Sequence, residues 1–190
     1  MNSPDIIKEI QEPIEPGEAF WEKYISVRKK ENRLYTDEEV LKLPDISIHH
    51  PHYKEWLIRK NSAEKLVRYL QKKLSVLSIL EIGCGNGWLS YRLSKTASSE
   101  VFGIDINPVE LRQAQQVFSQ QENLNLMLGD IRSGMLLSCR FDIIIFAASI
   151  QYFNSLKGII ALAQCYLSKG GEVHIIDSPL YRSNEIAAAR

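Results

Sequence analysis

Cysteine is scarce in this 190-residue chain: Cys84, Cys139 and Cys165 stand far apart and show no metal-ligand spacing. That pattern argues against a disulfide framework and fits a reducing compartment. A surplus of charge is also missing. Lys plus Arg and Asp plus Glu number 23 each, so no net field draws the chain to nucleic acid or to an anionic membrane. The one dense basic stretch, "RKKENR" at 28–33, is mixed in sign and reads as a solvated helix face. Long hydrophobic runs are absent too, the longest being 143–148, far too short to span a bilayer. The opening "MNSPDIIKEIQEP" is polar and acidic and lacks the pattern of a secretory leader. His49, His50 and His52 have no companion carboxylates or cysteines and are assigned to a loop rather than a metal site. The expectation is a soluble, cytoplasmic protein with no membrane partner, no clear nucleic-acid signal and no metal.

What is present is an ordinary globular composition, 45% hydrophobic and 24% charged, enough for one domain and an appendage. Residues 1–16 carry three prolines and read as a loosely ordered arm. Phe20, Trp21, Tyr24, Ile25 and Val27 share one side of a helix over 18–31. Thr36 with Glu39 marks the start of a short helix that Pro44 follows. A longer helix runs to about residue 74. Residues 1–60 are expected to form an arm and helical cap, with Trp21, Tyr24, Tyr53 and Trp56 as exposed aromatics of a lid, and 61–190 the core.

After residue 75 strand-like runs alternate with helical ones. "VLSILEI" (76–82), "VFGIDI" (101–106), "LNLML" (124–128), "FDIIIFA" (141–147) and "GEVHIID" (171–177) are mostly apolar without polar alternation, as in strands covered on both faces. Asn107, Pro108 and Glu110 read as cap, first helical residue and capping acid of one intervening helix. Asn154 is expected to cap another, which Gly170-Gly171 would end. This alternation predicts an α/β fold, a doubly wound and mainly parallel sheet with right-handed crossovers.

Ligands of such sheets sit beyond the carboxyl ends of the strands. Glu81 and the loop "GCGNG" (83–87) follow the first strand, Asp105 the second and Asp130 the third. A carboxylate after strand two offers the paired acceptors that two ribose hydroxyls need. A dinucleotide-binding loop wants G-x-G-x-x-G, and here Trp88 holds the third glycine's place.

In this order and spacing "LEIGCGNG", "VFGIDINPVEL", "LMLGDI" and "FDIIIFAASIQYF" resemble the class I S-adenosylmethionine-dependent methyltransferases over roughly residues 75–178. The resemblance implies S-adenosyl-L-methionine as cofactor and a sheet order of 3-2-1-4-5. It implies that Glu81 and the loop Gly83, Cys84, Gly85, Asn86 and Gly87 line the methionine end, with Gly83 and Gly85 admitting the ligand to the backbone. Asp105 would hold the ribose, Ile106 would lie against the adenine, and Asp130 with the Ile131 amide would meet its polar edge. Phe146 and Ala147 would present carbonyls to the methionine ammonium, and Arg59 its carboxylate a cation. Cys84 itself reads as a packing residue rather than a nucleophile. Ser149, Gln151 and Tyr152 after strand four, and Asp177 and Tyr181 after strand five, are the acceptor-side candidates; His174 reads as a core or edge residue.

No N-P-P-[YF] run follows strand four and no Pro-Cys pair occurs, which points away from nucleic-acid bases. That leaves O-, N- or C-methylation of a small molecule, a lipid head or a protein side chain, with a small-molecule acceptor as the expectation. The alternatives are a cofactor-binding pseudoenzyme or regulatory partner, and an NAD-dependent oxidoreductase, disfavoured by Trp88. Relatives of this pattern usually carry seven strands. Strands six and seven are expected to be missing here, which would leave 171–177 as an edge for a second copy or another chain.

Overall fold

The computed structural model describes residues 18–73, 75–96, 99–136 and 138–179. Tyr181, the arm at 1–16 and the Trp21 side chain lie outside the described residues. Among those described, three helices precede the sheet: α1 (Glu18–Lys30), α2 (Asp37–Lys42) and α3 (Tyr53–Leu70). Then follow β1 (Leu77–Ile82), α4 (Trp88–Ser94), β2 (Ser99–Asp105), α5 (Pro108–Val117), β3 (Leu124–Leu128), β4 (Phe141–Ala147), α6 (Leu156–Cys165) and β5 (Leu167–Ile176). All strand pairs are parallel, in the order β3-β2-β1-β4-β5. The order reverses beside β1, which opens a crevice at its carboxyl end, between β1 and β4. None of the helices described is long and apolar enough to cross a membrane.

The apolar character of the central strands follows from cover on both faces. Ile79, Ile143 and Ile145 pack with Trp56, Ala63, Leu66 and Leu70 of α3 and with Trp88, Leu89 and Leu93 of α4. Leu80, Ile144 and Phe146 face the other way, onto Ile159, Leu162 and Ala163 of α6 and onto Tyr166. Residue 60 falls inside α3, whose apolar side belongs to the same core as the sheet.

Capping sets several helix starts. Thr36 and Glu39 form the expected reciprocal box at α2, and the Asn107 side chain accepts from the Val109 and Glu110 amides at α5. Three expectations are corrected. α6 is capped by Ser155, whose Oγ accepts from Gly158 N at 3.0 Å, because a 3-10 turn over Ile150–Tyr152 carries the chain one residue past Asn154. α6 also ends before the glycine pair. Tyr166 is fully buried with its hydroxyl on the Ile131 carbonyl (3.1 Å), which pulls the chain to the sheet at Leu167. β5 therefore runs through Gly170-Gly171 as an irregularity in register, Phe141 pairing with Leu167 and Ile143 with Glu172. α3 ends at Leu70 rather than near 74.

Candidate functional site

The loop that leaves β1 is fastened to β2: the amides of Gly83 and Cys84 both donate to the Ile104 carbonyl, at 2.8 and 3.2 Å. Two of its glycines answer to protein, not to a ligand. A Cβ on Gly83 (φ +76°) would stand 2.5 Å from Ser149 Cβ, and Ser149 Oγ donates to the Ile82 carbonyl at 2.6 Å. A Cβ on Gly87 would stand 3.0 Å from Ala114 Cβ of α5. Gly85 differs. The nearest atom to its missing Cβ is Glu110 Oε2 at 3.2 Å, and its backbone borders a cavity of about 790 Å³. The expectation that Gly83 is glycine to admit a ligand is thus corrected: Ser149 occupies the space.

The cavity lies at the carboxyl ends of β1 to β4. It is lined by Glu81, Gly83, Cys84, Gly85, Asn86, Asp105, Ile106, Asp130, Ile131 and Ala147, and by Arg59, Gln151, Tyr152 and Asp177. Two expected residues are not brought to it. Gly87 starts α4 against α5, and Phe146, expected there through its carbonyl, is absent from the lining, its buried side chain edge-on to Phe153 at 6.0 Å.

Asp105 is held in place before any ligand arrives. Its Oδ2 accepts from Gly85 N and its Oδ1 from Asn107 N, both at 2.7 Å. Burial raises its pKa, and those amides oppose the rise. A carboxylate has about four acceptor positions, so these two bonds do not exhaust it, and Asp105 borders the cavity. Glu81, 2% exposed, accepts from Ser90 Oγ. Burial above all, with the charge of Asp105, pushes its pKa up to about 8. Burial likewise raises the Cys84 thiol, keeping it protonated and consistent with a packing role.

The folded chain therefore holds a proton on Glu81 that the unfolded chain releases above the ordinary value of 4.5. Stability from this group falls as pH rises between 4.5 and about 8. Glu81→Gln keeps an acceptor for Ser90 and removes the titration. Urea unfolding at pH 5 and pH 8 should show a smaller loss of stability in the variant than in the wild type; equal losses would place the Glu81 proton elsewhere.

The N-terminal helices form one wall. Trp56, expected to be exposed, is 3% exposed: it packs edge-on to Trp88 (5.3 Å) and donates from Nε1 to the Tyr35 hydroxyl at 2.7 Å. Trp88, in the place of a third glycine, thus fills the loop–helix junction. Glu55 receives Arg33 through two bonds (3.0 and 2.7 Å) and Arg59 through one (2.8 Å). The bond from Arg33 is the main reason its carboxyl lies below the usual range. Arg59 is also stacked on Trp56 at 5.0 Å, so its cation faces the cavity in a fixed pose. The reading of 28–33 as a solvated face holds for Lys29, Lys30, Glu31 and Asn32, which are exposed, and is corrected for Arg28 and Arg33. Asn32 turns the chain with φ +53° after α1, and both Arg28 and Arg33 border the cavity. His50 stacks on Tyr35 (5.7 Å) and His52 Nε2 lies 2.6 Å from the Glu31 carbonyl, which builds the expected loop into this wall.

Asp130 reaches the cavity but caps the 3-10 turn Ile131–Ser133 and accepts from Arg132 N (2.8 Å) and Nε (2.9 Å). Tyr152 stands at the mouth, 73% exposed, and Gln151 Nε2 donates to the Ala148 carbonyl at 2.6 Å. His174 pairs with Glu172 in β5 at 3.0 Å, away from the cavity lining. Several lining residues escaped the sequence reading, among them Arg28, Arg33, Glu55 and Glu110. Glu110, taken there as a capping acid, turns its carboxylate to the cavity beside Asp105. The available signal was its place in the first turn of a helix that starts at the acidic strand end.

Residues 73–187, more than half of the chain, match a family model described as a methyltransferase domain. The chain belongs to this methyltransferase-domain family. Among curated proteins it is similar to malonyl-[acyl-carrier protein] O-methyltransferase 2 of Ilyobacter polytropus, 31% identical over 116 residues, 60% of this chain and 44% of that protein. It is also similar to the ribosomal protein L11 methyltransferase of Paraburkholderia phymatum, 30% identical over 114 residues, 58% of this chain and 35% of that protein. The chain thus spans less than half the length of these relatives. Among solved structures it shares its fold with YjhP of E. coli (TM-score 0.57, 20% identity, 79% of this chain and 61% of that one). The same holds for a SAM-dependent methyltransferase of Geobacter sulfurreducens in complex with S-adenosyl-L-homocysteine (TM-score 0.55, 18% identity, 72% and 54%). The methyltransferase-domain match begins after α3, so the wall built by α1 to α3 lies outside it.

Proposed function

We propose that this chain binds S-adenosyl-L-methionine and transfers its methyl group to a small-molecule acceptor, free or carried on a protein. The observation that carries the reading is Asp105, a carboxylate fixed by the Gly85 and Asn107 amides at the end of β2 in an acid-rich cavity. That set of acceptors fits a ligand with a ribose and a positive charge. The bound cofactor supplies an electrophilic methyl group. Asp105 takes the ribose hydroxyls and Ile106 the adenine face, with Asp130 and the Ile131 amide at its edge. Glu81 and Arg59 flank the methionine ammonium and carboxylate, near the loop 83–86 and the Ala147 carbonyl. Gln151, Tyr152 and Asp177 border the side left for the acceptor. A volume of about 790 Å³ is toward the upper end for ligand pockets, roughly 300–1,000 Å³, which gives room for both substrates. With the Cys84 thiol protonated, the chain offers alignment and exclusion of water rather than covalent catalysis. Titration calorimetry should give binding of S-adenosylhomocysteine and none of NAD, with turnover tested on carboxylate, amine and hydroxyl acceptors; the reverse preference would overturn the reading.

The cap reading rests on the wall of aromatic and paired charged residues from α1 to α3. Hydrogen exchange over 18–60 should slow when S-adenosylhomocysteine is added, and unchanged exchange would remove the cap from the ligand site. β5 pairs with β4 alone among the described residues, and a second chain adding to that edge is the proposed route to a dimer or hetero-complex. Light scattering at rising concentration tests it; a constant monomer mass would refute a dimer.

A further inference from the structure

α1 turns two polar side chains inward from one face. Arg28 Nε donates to the Tyr24 hydroxyl at 2.8 Å, and the guanidinium lies 5.0 Å from the centre of the Tyr24 ring. Both residues border the cavity, as does Glu110 of α5. The Tyr24 hydroxyl meets the Glu110 carboxylate, and Arg28 stands within electrostatic reach of Glu110, Asp105 and Tyr152. A phenol can accept from one partner while donating to another, so Tyr24 joins the Arg28 cation to the Glu110 anion in a single chain. Arg28 thus feels charged or polar groups of both α5 (Glu110) and the turn after β4 (Tyr152), and it borders the same cavity as they do.

Charge gives this chain of contacts its purpose. Asp105 and Glu110 place two largely buried carboxylates at one end of the cavity, and burial disfavours the charge on each. The buried Asn107 Nδ2 stands beside Glu110 without a well-formed hydrogen bond among the described residues. Arg28 therefore has a strong attraction to this end, and separating it would leave the acids poorly compensated. α1 lies outside the segment that matches the family model, so nothing in that match assigns it a role.

We propose that Tyr24, Arg28 and Glu110 form a latch that holds α1 across the cavity mouth, as positioning residues that set how fast the adenosyl ligand enters and leaves. The proposal rests on the S-adenosylmethionine reading of the cavity. A gate differs from a simple ligand contact in kinetics. Opening a gate raises association and dissociation rates together, whereas removing a ligand contact raises dissociation alone.

The test is stopped-flow binding of S-adenosylhomocysteine to the full chain. Tyr24→Phe, which keeps the ring packing, and Arg28→Ala should each raise both rates by about three- to tenfold, the loss of roughly one hydrogen bond. Arg28→Lys should recover part of the effect. Lys29→Ala, on the exposed side of α1, should bind at wild-type rates. Thermal unfolding confirms that each variant is folded. Wild-type rates in both latch variants, or faster dissociation with unchanged association, would overturn the latch while the ligand site stands. A wild type that does not bind S-adenosylhomocysteine would overturn both.

Discussion

Asp105→Ala lowers the affinity for S-adenosylhomocysteine by about 10- to 150-fold, the loss of charge-assisted hydrogen bonds worth roughly 1.5–3 kcal/mol. The effect has two sources. The variant lacks the paired acceptors for the ribose, and it leaves the Gly85 and Asn107 amides without the carboxylate that orders them. The loop 83–87 keeps its ties to the Ile104 carbonyl, so the fold should survive while the binding surface loosens. Calorimetry reports the affinity and denaturant unfolding the stability. Unchanged affinity would remove Asp105 from the site.

Gly83→Ala destabilises the protein by roughly 2–5 kcal/mol, combining a non-glycine residue at positive φ with an overpacked contact. The contact is severe because the atom met at 2.5 Å is Ser149 Cβ, held at the end of β4 by the bond from Ser149 Oγ to the Ile82 carbonyl. Gly85→Val has the opposite signature. Gly85 is also at positive φ (+53°), so valine there carries backbone strain, but its Cβ meets only the far end of the Glu110 side chain, at 3.2 Å. The loss of stability should be smaller than for Gly83→Ala, while the branched side chain fills the binding space and abolishes ligand binding. Urea unfolding and calorimetry on the two variants separate these effects. A Gly83→Ala variant as stable as the wild type, or a Gly85→Val variant that binds normally, would contradict the division of the loop into a packed glycine and a ligand-facing one.

Much of the site was legible because its signals are local. Asp105 ends an apolar strand and precedes the Asn107-Pro108 cap, so sequence alone places it at the sheet's carboxyl rim, and the family resemblance carried by the same run of motifs implied the strand order. The rest depends on contacts between distant segments. Trp56 and Trp88 meet edge-on from two helices, and no periodicity reveals that an aromatic at the start of α3 is buried there. Arg28 reads as solvated in a stretch of mixed charge, yet the geometry of α1 sets it against Glu110 and Asp105. Glu110 itself satisfies a local pattern, the capping acid, which hid its place in the cavity. The early entry into β5 is of the same kind, since Tyr166 is fixed by the Ile131 carbonyl far from it in sequence.

The central claim is that the cavity at the carboxyl ends of β1 to β4 holds the adenosyl cofactor with Asp105 on its ribose. A crystal structure of the chain grown with S-adenosylhomocysteine tests it most directly. The expected result is density in this cavity with both ribose hydroxyls within hydrogen-bonding distance of Asp105 and the adenine against Ile106. Density for the ligand elsewhere, or a ribose turned away from Asp105, would contradict it.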